Sequence, residues 1–311
     1  MFSFTAVSKL NTQLYFGMTV LSIEHLHKQY GKIKAVDDLH LQVEKGMVFG
    51  LLGPNGSGKT TTLGIILGII QANSGTYTWF EGQKGSRHRL HIGALLETPN
   101  FYPYLNAVEN LGIVAHIKRV KQPNFDSILK LVNLYERRFS KFRTYSLGMK
   151  QRLAIAAAMV GDPEVLIFDE PTNGLDPQGI AEVRHTIKQI ADTGKTIIMA
   201  SHILDEVEKI CSHVAIIKSG RMLASGTVGA IISDDILIEV AAKDLTALEN
   251  IFRHWSLVSR VVQQDDRLQL FFAAPISPDE INRYAFEQGL VLTYLELVRK
   301  SLESEFLEIT A

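Results

Sequence analysis

Short apolar runs alternate with longer helical patterns along most of the chain. Largely apolar residues at Val48–Leu52, Val165–Phe168, Thr196–Ala200 and His213–Lys218 predict buried strands. The segment Ala35–Val43 instead alternates apolar and polar residues, as a strand with one exposed face does. Buried strands that alternate with helices are typical of a largely parallel α/β core.

Helical periodicity fills the spaces between these strands. The segment Thr60–Ile70 has the pattern of a buried helix, and Asn106–Val120 and Phe125–Asn133 indicate two more. One further strand is predicted at Val20–Leu26, followed by a turn at Gln29–Gly31.

The pattern changes beyond about Gly229 to strand, helix, strand, strand, helix, strand and a last helix. These segments are Ile236–Val240, Asp244–Trp255, Ser259–Gln264, Leu268–Phe272, Pro278–Gln288, Leu290–Leu295 and a stretch near Ser301–Ile309. Their order predicts a small split βαβ domain. We therefore expect an uncertain extension over 1–17, with Met1 or Met18 as the true start, a main domain over 18–228 and a small α+β domain over 229–311.

Composition narrows the class of protein. Of 311 residues, 46% are hydrophobic and 21% charged, which suits an ordinary protein with a substantial core. The 32 basic and 33 acidic side chains give a formal charge of −1, so no nucleic-acid partner is expected. The one cysteine, Cys211, excludes an intramolecular disulfide. No apolar run approaches the ~18–20 residues that cross a bilayer, so we expect any membrane role to come through a partner.

A glycine-rich loop follows the apolar strand at Val48–Leu52. Gly53-Pro-Asn-Gly-Ser-Gly-Lys-Thr60 matches the phosphate-loop pattern at every fixed position. The glycines let backbone N–H groups converge on phosphate oxygens, while Lys59 reaches the β- and γ-phosphates and Thr60 holds Mg²⁺. We expect ATP and Mg²⁺ as ligands. The predicted cofactor-binding residues here are Gly53, Pro54, Asn55, Gly56, Ser57, Gly58, Lys59, Thr60 and Thr61.

Two acidic residues end the strand at Val165–Phe168. Asp169 is predicted to join the Mg²⁺ shell and Glu170 to act as the base that polarises the attacking water. A strand that ends in two acids could equally be a solvated turn. The phosphate loop in the same chain favours the functional interpretation.

Three further motifs indicate a family. They are Tyr-Ser-Leu-Gly-Met-Lys-Gln-Arg-Leu at Tyr145–Leu153, Leu-Ile-Phe-Asp-Glu-Pro-Thr-Asn-Gly-Leu-Asp-Pro at 166–177, and Ala200-Ser-His202. In this order they closely resemble the ATP-binding cassette (ABC) ATPases of membrane transporters, from about Val20 to Ser225. The resemblance implies an α/β P-loop NTPase fold with a parallel-sheet core, an antiparallel β part and a helical subdomain at about 98–163.

The resemblance also implies roles for single residues. Tyr30 would stack on adenine, although packing within a strand is the alternative. Ser146 and Gly148 would open a helix that meets the γ-phosphate bound by the opposite subunit. Asp176 would cross the dimer interface, and His202 would contact the γ-phosphate as a sensor with a catalytic role.

Two positions depart from the common family pattern. Leu147 and Met149 stand where Leu-Ser-Gly-Gly-Gln has glycine and glutamine, while Ser146 and Gly148 remain. Glu97 stands where most members have a glutamine that links Mg²⁺ to the membrane subunit, so Glu97 is a third predicted metal ligand. With the Glu-Thr-Pro-Asn-Phe-Tyr-Pro segment that it opens, this signature resembles the subgroup that exports bacitracin and lantibiotics.

The sequence therefore predicts a peripheral ATPase subunit at the cytoplasmic face of the cell membrane. A second ABC subunit, identical or different, would complete its sites, and a separate integral membrane permease would carry the cargo, a peptide antibiotic, lantibiotic or other amphiphile. The segment Phe101–Leu105 would contact the permease, with core packing as the alternative.

Two other functions are disfavoured by the sequence. A soluble ABC ATPase acting on ribosomes or DNA is disfavoured by the single cassette and by the lack of a heptad run or basic patch. A non-hydrolysing ATP switch is disfavoured by the intact catalytic set, which comprises Lys59, Asp169, Glu170 and His202.

Overall fold

A computed structural model describes residues 17–96, 99–232, 236–272, 274, 276–298 and 302–310. The strands in chain order are β1 (Thr19–Tyr30), β2 (Ile33–Glu44), β3 (Val48–Leu52), β4 (Ser74–Trp79), β5 (Ile92–Leu95), β6 (Val165–Asp169), β7 (Thr196–Ser201), β8 (His213–Lys218), β9 (Arg221–Thr227), β10 (Ile236–Ala242), β11 (Val258–Gln264), β12 (Arg267–Phe272) and β13 (Leu292–Val298). The α-helices are α1 (Lys59–Ile66), α2 (Ala107–Ile117), α3 (Phe125–Leu131), α4 (Leu147–Met159), α5 (Pro177–Ala191), α6 (Leu204–Ile210), α7 (Val228–Ile231), α8 (Leu245–Arg253), α9 (Pro278–Glu287) and α10 (Leu302–Thr310). Each helix in this described part of the chain is too short or too polar to span a bilayer.

The chain divides into two compact units. The first holds the described residues of Met1–Met47 and Thr60–Ile198, and the second those of Val48–Lys59 and Met199–Ala311. Strand β7 contributes residues to both.

Unit one contains an antiparallel sheet of strand order β2-β1-β4. Leu21 and Ile23 of β1 pair with Val43 and Leu41 of β2, and all four side chains are buried. The register shifts once between Thr19 and Leu21 and at three places between Ile23 and Gln29. The stretch from Ile23 to Gln29, with its partner residues in β2, is therefore the irregular end of this hairpin.

The helices of this unit are fixed at their ends by polar contacts. Helix α2 begins with a capping box in which the Asn106 side chain accepts from Glu109 N and Glu109 accepts from Asn106 N. At the far end of α4, Lys118 Nζ donates to the carbonyls of Ala158 (3.1 Å) and Val160 (2.9 Å). Burial lowers the pKa of Lys118 to about 8.

Arg152 links α4 to two neighbouring helices. Its Nη1 donates to the carbonyls of Val132 (2.9 Å) and Asn133 (2.8 Å) at the end of α3. Its Nη2 lies 3.0 Å from Glu182 Oε2 on α5. This guanidinium therefore holds the helix that follows Ser146 in a fixed place within its unit.

A largely parallel sheet forms the α/β core. In unit one β5 and β6 pair in parallel and the strand order is β5-β6-β7. In unit two the order is β7-β3-β8-β9, with β3 parallel to β8 and β8 antiparallel to β9. Every residue of β3, β6 and β7 is buried, as the continuous apolar runs predict. The predicted α/β fold class is confirmed.

The C-terminal segment forms an antiparallel sheet of order β11-β12-β10-β13, with α8 and α9 packed on its core. Trp255 stacks on Tyr284, with ring centroids 4.1 Å apart. The strand and helix order is the predicted one. Helix α10 contacts α6, where Leu302 N donates to Glu208 Oε2 at 2.9 Å. The domain boundary at 228–229 stays a prediction, and residues 1–16 of the predicted extension lie outside the described residues.

Several predicted element ends are wrong, and two of them have a clear cause in the structure. Helix α1 ends at Ile66 rather than Ile70, because the N–H groups of Ile69 and Ile70 both turn back to the Gly64 carbonyl. The turn predicted from Gln29 begins later, because β1 continues to Tyr30 and pairs there with β2. Strands β4, β5 and β9 are missing from the sequence prediction, since β4 and β9 alternate only weakly and β5 has four residues.

Candidate nucleotide-binding site

The phosphate loop between β3 and α1 closes around its own lysine. Lys59 Nζ donates to the carbonyls of Gly53 (2.7 Å) and Pro54 (3.3 Å), and Ser57 N donates to Pro54 O at 3.1 Å. Only 5% of Lys59 is exposed. The loop therefore places one ammonium against two of its own backbone carbonyls.

Gly53 has no room for a side chain. A Cβ there would lie 2.2 Å from Ile217 O on β8 and 2.5 Å from Ser57 Oγ. The loop is also braced from the β8–β9 turn, where Gly220 N donates to Ser57 O at 2.9 Å. Sequence reasoning missed this brace, although the Ser219-Gly220 pair after β8 is a turn signal.

The loop presents hydrogen-bond donors and no carboxylate of its own. Ser57 Oγ is buried and has no hydrogen-bond partner among the described residues. Thr60 is exposed in the first turn of α1, whose N-terminal N–H groups carry partial positive charge. An ammonium, a hydroxyl and a helix N-terminus together suit a phosphate group.

The acidic pair lies at the end of β6. Asp169 is the last residue of that strand and is buried, whereas Glu170 is partly exposed with a left-handed backbone (φ 48°). Such a conformation costs about 1–3 kcal/mol in a non-glycine residue and is concentrated at functional sites. Asn173 N donates to Glu170 O at 3.1 Å and closes the turn.

Tyr30 and His202 also lie at strand ends. Tyr30 is the last residue of β1, 47% exposed, with Lys28 Nζ 5.0 Å from its ring centroid. The ring is therefore not packed in a core, which was the alternative. His202 is exposed directly after β7, where Ile203 N donates to Ser201 Oγ at 3.0 Å.

Unit one also contains a groove of about 450 Å³ that we call the signature groove. Its lining includes Ser146, Leu147, Gly148, Gly174, Asp176 and Gly179. Ser146 caps α4 by accepting from Met149 N at 3.2 Å, and Asp176 caps α5 by accepting from Gly179 N at 2.9 Å. Two helix N-termini thus share one groove, and sequence reasoning missed both capping roles although Ser and Asp are preferred caps.

Leu147 marks the main departure in this groove. Its side chain is 49% exposed, and its Cδ2 lies 3.7 Å from where a Cβ on Gly174 would be. A glycine at this position would leave the groove wider. The leucine therefore adds an apolar side chain beside the capped end of α4.

The structure describes only part of the segment that is predicted to link Mg²⁺ to the membrane permease. Glu97 lies outside the described residues. Phe101 packs on Phe142 with centroids 5.2 Å apart, while Tyr102 and Tyr104 are 50% and 62% exposed. The segment thus combines one packed ring with two exposed ones.

Comparison with known proteins places this geometry in a family. Residues 36–173 match the family model described as ABC transporter. The bacitracin transport ATP-binding protein BcrA of Enterococcus faecalis is 35% identical over 92% of this chain and 95% of its own. The lantibiotic transport ATP-binding protein SrtF of Streptococcus pyogenes is 39% identical over 66% of this chain and 89% of its own. The solved structure of cbiO1 from Clostridium perfringens, part of an ABC transporter complex, has a TM-score of 0.62 and 28% identity, covering 70% of this chain and 91% of that one.

The chain belongs to the ATP-binding cassette family of transporter ATPases. It is a nucleotide-binding ATPase subunit of an ABC transporter. Members of this family work as dimers with membrane permease partners. The predicted family, fold class and ATPase activity are thus confirmed, while the role of each site residue stays a prediction.

Proposed function

We propose that this chain binds Mg-ATP in its phosphate loop and hydrolyses it to drive a separate permease. The observation that carries the proposal is the donor set of the loop, in which the ammonium of Lys59 and the buried hydroxyl of Ser57 lie within one turn of backbone. Anionic phosphate oxygens are the chemistry that such a set binds.

The other residues divide the remaining work. Thr60 and Asp169 would hold Mg²⁺, with Glu97 as a further ligand. When bound, Mg²⁺ neutralises charge on the phosphates. Glu170 would accept a proton from the attacking water, and its left-handed backbone gives the carboxylate a direction that a strand continuation would not.

The remaining residues of this site recognise the base and the γ-phosphate. Tyr30 offers an exposed ring face to adenine, because half of its side chain lies outside any core. His202 would contact the γ-phosphate from its exposed position after β7.

A second ABC subunit would complete each site. Ser146 and Gly148 open α4 and Asp176 opens α5, so two helix N-termini face the signature groove. This arrangement suits the γ-phosphate of a nucleotide held by the opposite subunit. Hydrolysis would then release the closed dimer, since only ATP carries that phosphate.

The cargo proposal is export of a peptide antibiotic, a lantibiotic or another amphiphile, at the cytoplasmic face of the cell membrane. It is supported by the two relatives above, which are named for bacitracin transport and lantibiotic transport. Tyr102 and Tyr104 offer exposed rings for the permease contact. The rival, action on a ribosome or DNA, has no support from those transport functions.

Glu170→Gln tests both the chemistry and the dimer. We expect hydrolysis to fall about 10²–10⁴-fold, as loss of a general base does, while ATP binding remains. Light scattering should then detect an ATP-dependent dimer that wild type forms only transiently. Glu136→Gln, an exposed glutamate away from the site, is the matched control and should behave as wild type.

The outcomes separate the parts of the proposal. Unchanged turnover would remove Glu170 as the base, and loss of turnover without a dimer would remove the partner role of the signature groove. Cells that carry Glu170→Gln should also lose resistance to bacitracin or to a lantibiotic. Equal resistance to both would overturn the peptide cargo and leave the ATPase assignment standing.

A further inference from the structure

A cluster of imidazoles surrounds one carboxylate on the irregular end of the β1–β2 hairpin. His25 Nδ1 lies 2.9 Å from Asp38 Oδ1, and His40 Nε2 lies 3.3 Å from the same oxygen. The three side chains are exposed by 74%, 55% and 44% for His25, Asp38 and His40. A solute can therefore reach all three without any unfolding.

The donor atoms have the spacing of a metal site. One ligand atom from each of His25, Asp38 and His40 lies within 4.8 Å of the others. Around a tetrahedral Zn²⁺ with bonds of about 2.0–2.1 Å, neighbouring ligand atoms lie about 3.3 Å apart. The two His–Asp separations, 2.9 and 3.3 Å, are close to that edge.

The backbone holds two of these residues in an unusual conformation. His25 (φ 49°) and Asp38 (φ 59°) are both left-handed, and both lie where bulges interrupt the β1–β2 register. The His25 carbonyl is packed so closely on β4 that a Cβ on Gly75 would lie 2.0 Å from it. Left-handed non-glycine residues cost free energy and are concentrated at functional sites.

His27 lies beside the Asp38 carboxylate. Asp38 N donates to His27 Nδ1 at 3.2 Å, and His27 Nε2 lies 3.6 Å from Asp38 Oδ1. Outer groups of this kind fix the direction of a ligating carboxylate. Surface ion pairs alone contribute little stability, so ion pairing does not explain why three imidazoles surround one carboxylate oxygen.

We propose that His25, Asp38 and His40 form a binding site for a divalent transition metal ion of the Zn²⁺ type. Two imidazole nitrogens and one carboxylate oxygen prefer Zn²⁺ and Co²⁺ to the hard cations Mg²⁺ and Ca²⁺. Water completes the coordination, because the site is open to solvent. The site is separate in chemistry from the Mg²⁺ proposed at the phosphate loop. His27 is a positioning residue.

The test uses the full chain, free of any histidine tag and treated with chelator, titrated with Zn²⁺ by calorimetry in the absence of nucleotide. We expect one Zn²⁺ per chain, no competition from excess Mg²⁺, and the absorption bands of bound Co²⁺. In His25→Ala/His40→Ala the affinity should fall at least about 100-fold, because two of three ligands are gone. His27→Ala should weaken binding about tenfold, the lower end of the effect of an outer partner.

His185→Ala/His254→Ala is the matched control, since it removes two exposed histidines elsewhere. It should keep the wild-type Zn²⁺ affinity. All variants should bind ATP as wild type does, which reports an intact fold. Three results would overturn the proposal. They are no stoichiometric Zn²⁺ binding by wild type, wild-type Zn²⁺ affinity in His25→Ala/His40→Ala, and a loss of affinity in the control as large as in that variant. A wild-type affinity for Zn²⁺ in His27→Ala would remove only its positioning role.

Discussion

The phosphate loop and the signature groove both present helix N-termini, but they differ in how far they are closed. In the loop, Lys59 is 5% exposed and Ser57 is 2% exposed, and backbone carbonyls surround the ammonium. In the groove, Ser146 is exposed and Leu147 is 49% exposed. The loop is thus a closed binding element. In the groove, the capping side chains already accept hydrogen bonds from their own helices, and the surface stays open to solvent.

This difference separates two kinds of defect. A change in the loop should damage nucleotide binding by the isolated chain, because every contact that shapes it is internal. A change in the groove should spare that binding and damage only the turnover of an assembled dimer. Affinity of the single chain and turnover of the complex are therefore the two measurements that compare them.

Among the changes that separate the loop from the groove, the largest effect is expected for Gly53→Ala. The new Cβ would lie 2.2 Å from Ile217 O, so the loop must move away from β8. A displacement of about 1 Å in a phosphate site can cost about 10²-fold, and we expect that loss in ATP affinity and turnover. Titration with a fluorescent ATP analogue measures it. Gly112→Ala in α2, where nothing lies within 4 Å of the added Cβ, is the control and should bind normally. Normal ATP binding by Gly53→Ala would show that the loop is not rigidly closed.

A smaller and different effect is expected for Ser146→Ala. The isolated chain should bind ATP normally, while turnover of the assembled transporter falls about tenfold, the factor that about 1.4 kcal/mol of lost interaction gives. Because Ser146 also caps α4, the alanine should lower the free energy of unfolding by about 1 kcal/mol. Ser146→Asn keeps a cap and should restore stability without restoring turnover. Full turnover in Ser146→Asn would reduce Ser146 to a cap and remove its phosphate role.

The local sequence predicts those strands and loops that depend only on residues close together along the chain. The bounds of β3 and β8 are predicted to the residue, because each is an apolar run between turn residues. The phosphate loop is predicted for the same reason, since its glycines, Lys59 and Thr60 are consecutive. Within the candidate site, the family resemblance also singles out Tyr30 and His202.

Contacts between distant residues are what the sequence does not show. Gly220 braces Ser57 across more than 160 positions, and no local pattern records that hydrogen bond. Arg152 lies in the Tyr145–Leu153 motif, yet its links to α3 and Glu182 depend on packing between helices. The cluster of His25, Asp38 and His40 needs the bulged register of two strands before its residues meet.

The last predicted effect is on stability alone and concerns the far end of the helix that Ser146 opens. Lys118 Nζ donates to carbonyls at the end of α4, and burial lowers its pKa from the ordinary 10.5 to about 8. Below pH 8 the side chain is charged in the folded and unfolded states alike, and the folded state carries the cost of burying the charge.

Between about pH 8 and 10.5 the folded state loses this proton first, so the unfolded state binds more protons and stability rises with pH. Relative to Lys118→Met, the free energy of unfolding of wild type should therefore increase over this range, by roughly 1–3 kcal/mol. Urea unfolding at several pH values measures the difference, with Lys121→Met, an exposed neighbour, as the control. If the difference from Lys118→Met stays constant with pH, the carbonyls at the end of α4 hold Lys118 charged over this range. This end of the helix would then be closed around an ammonium, as the phosphate loop is around Lys59.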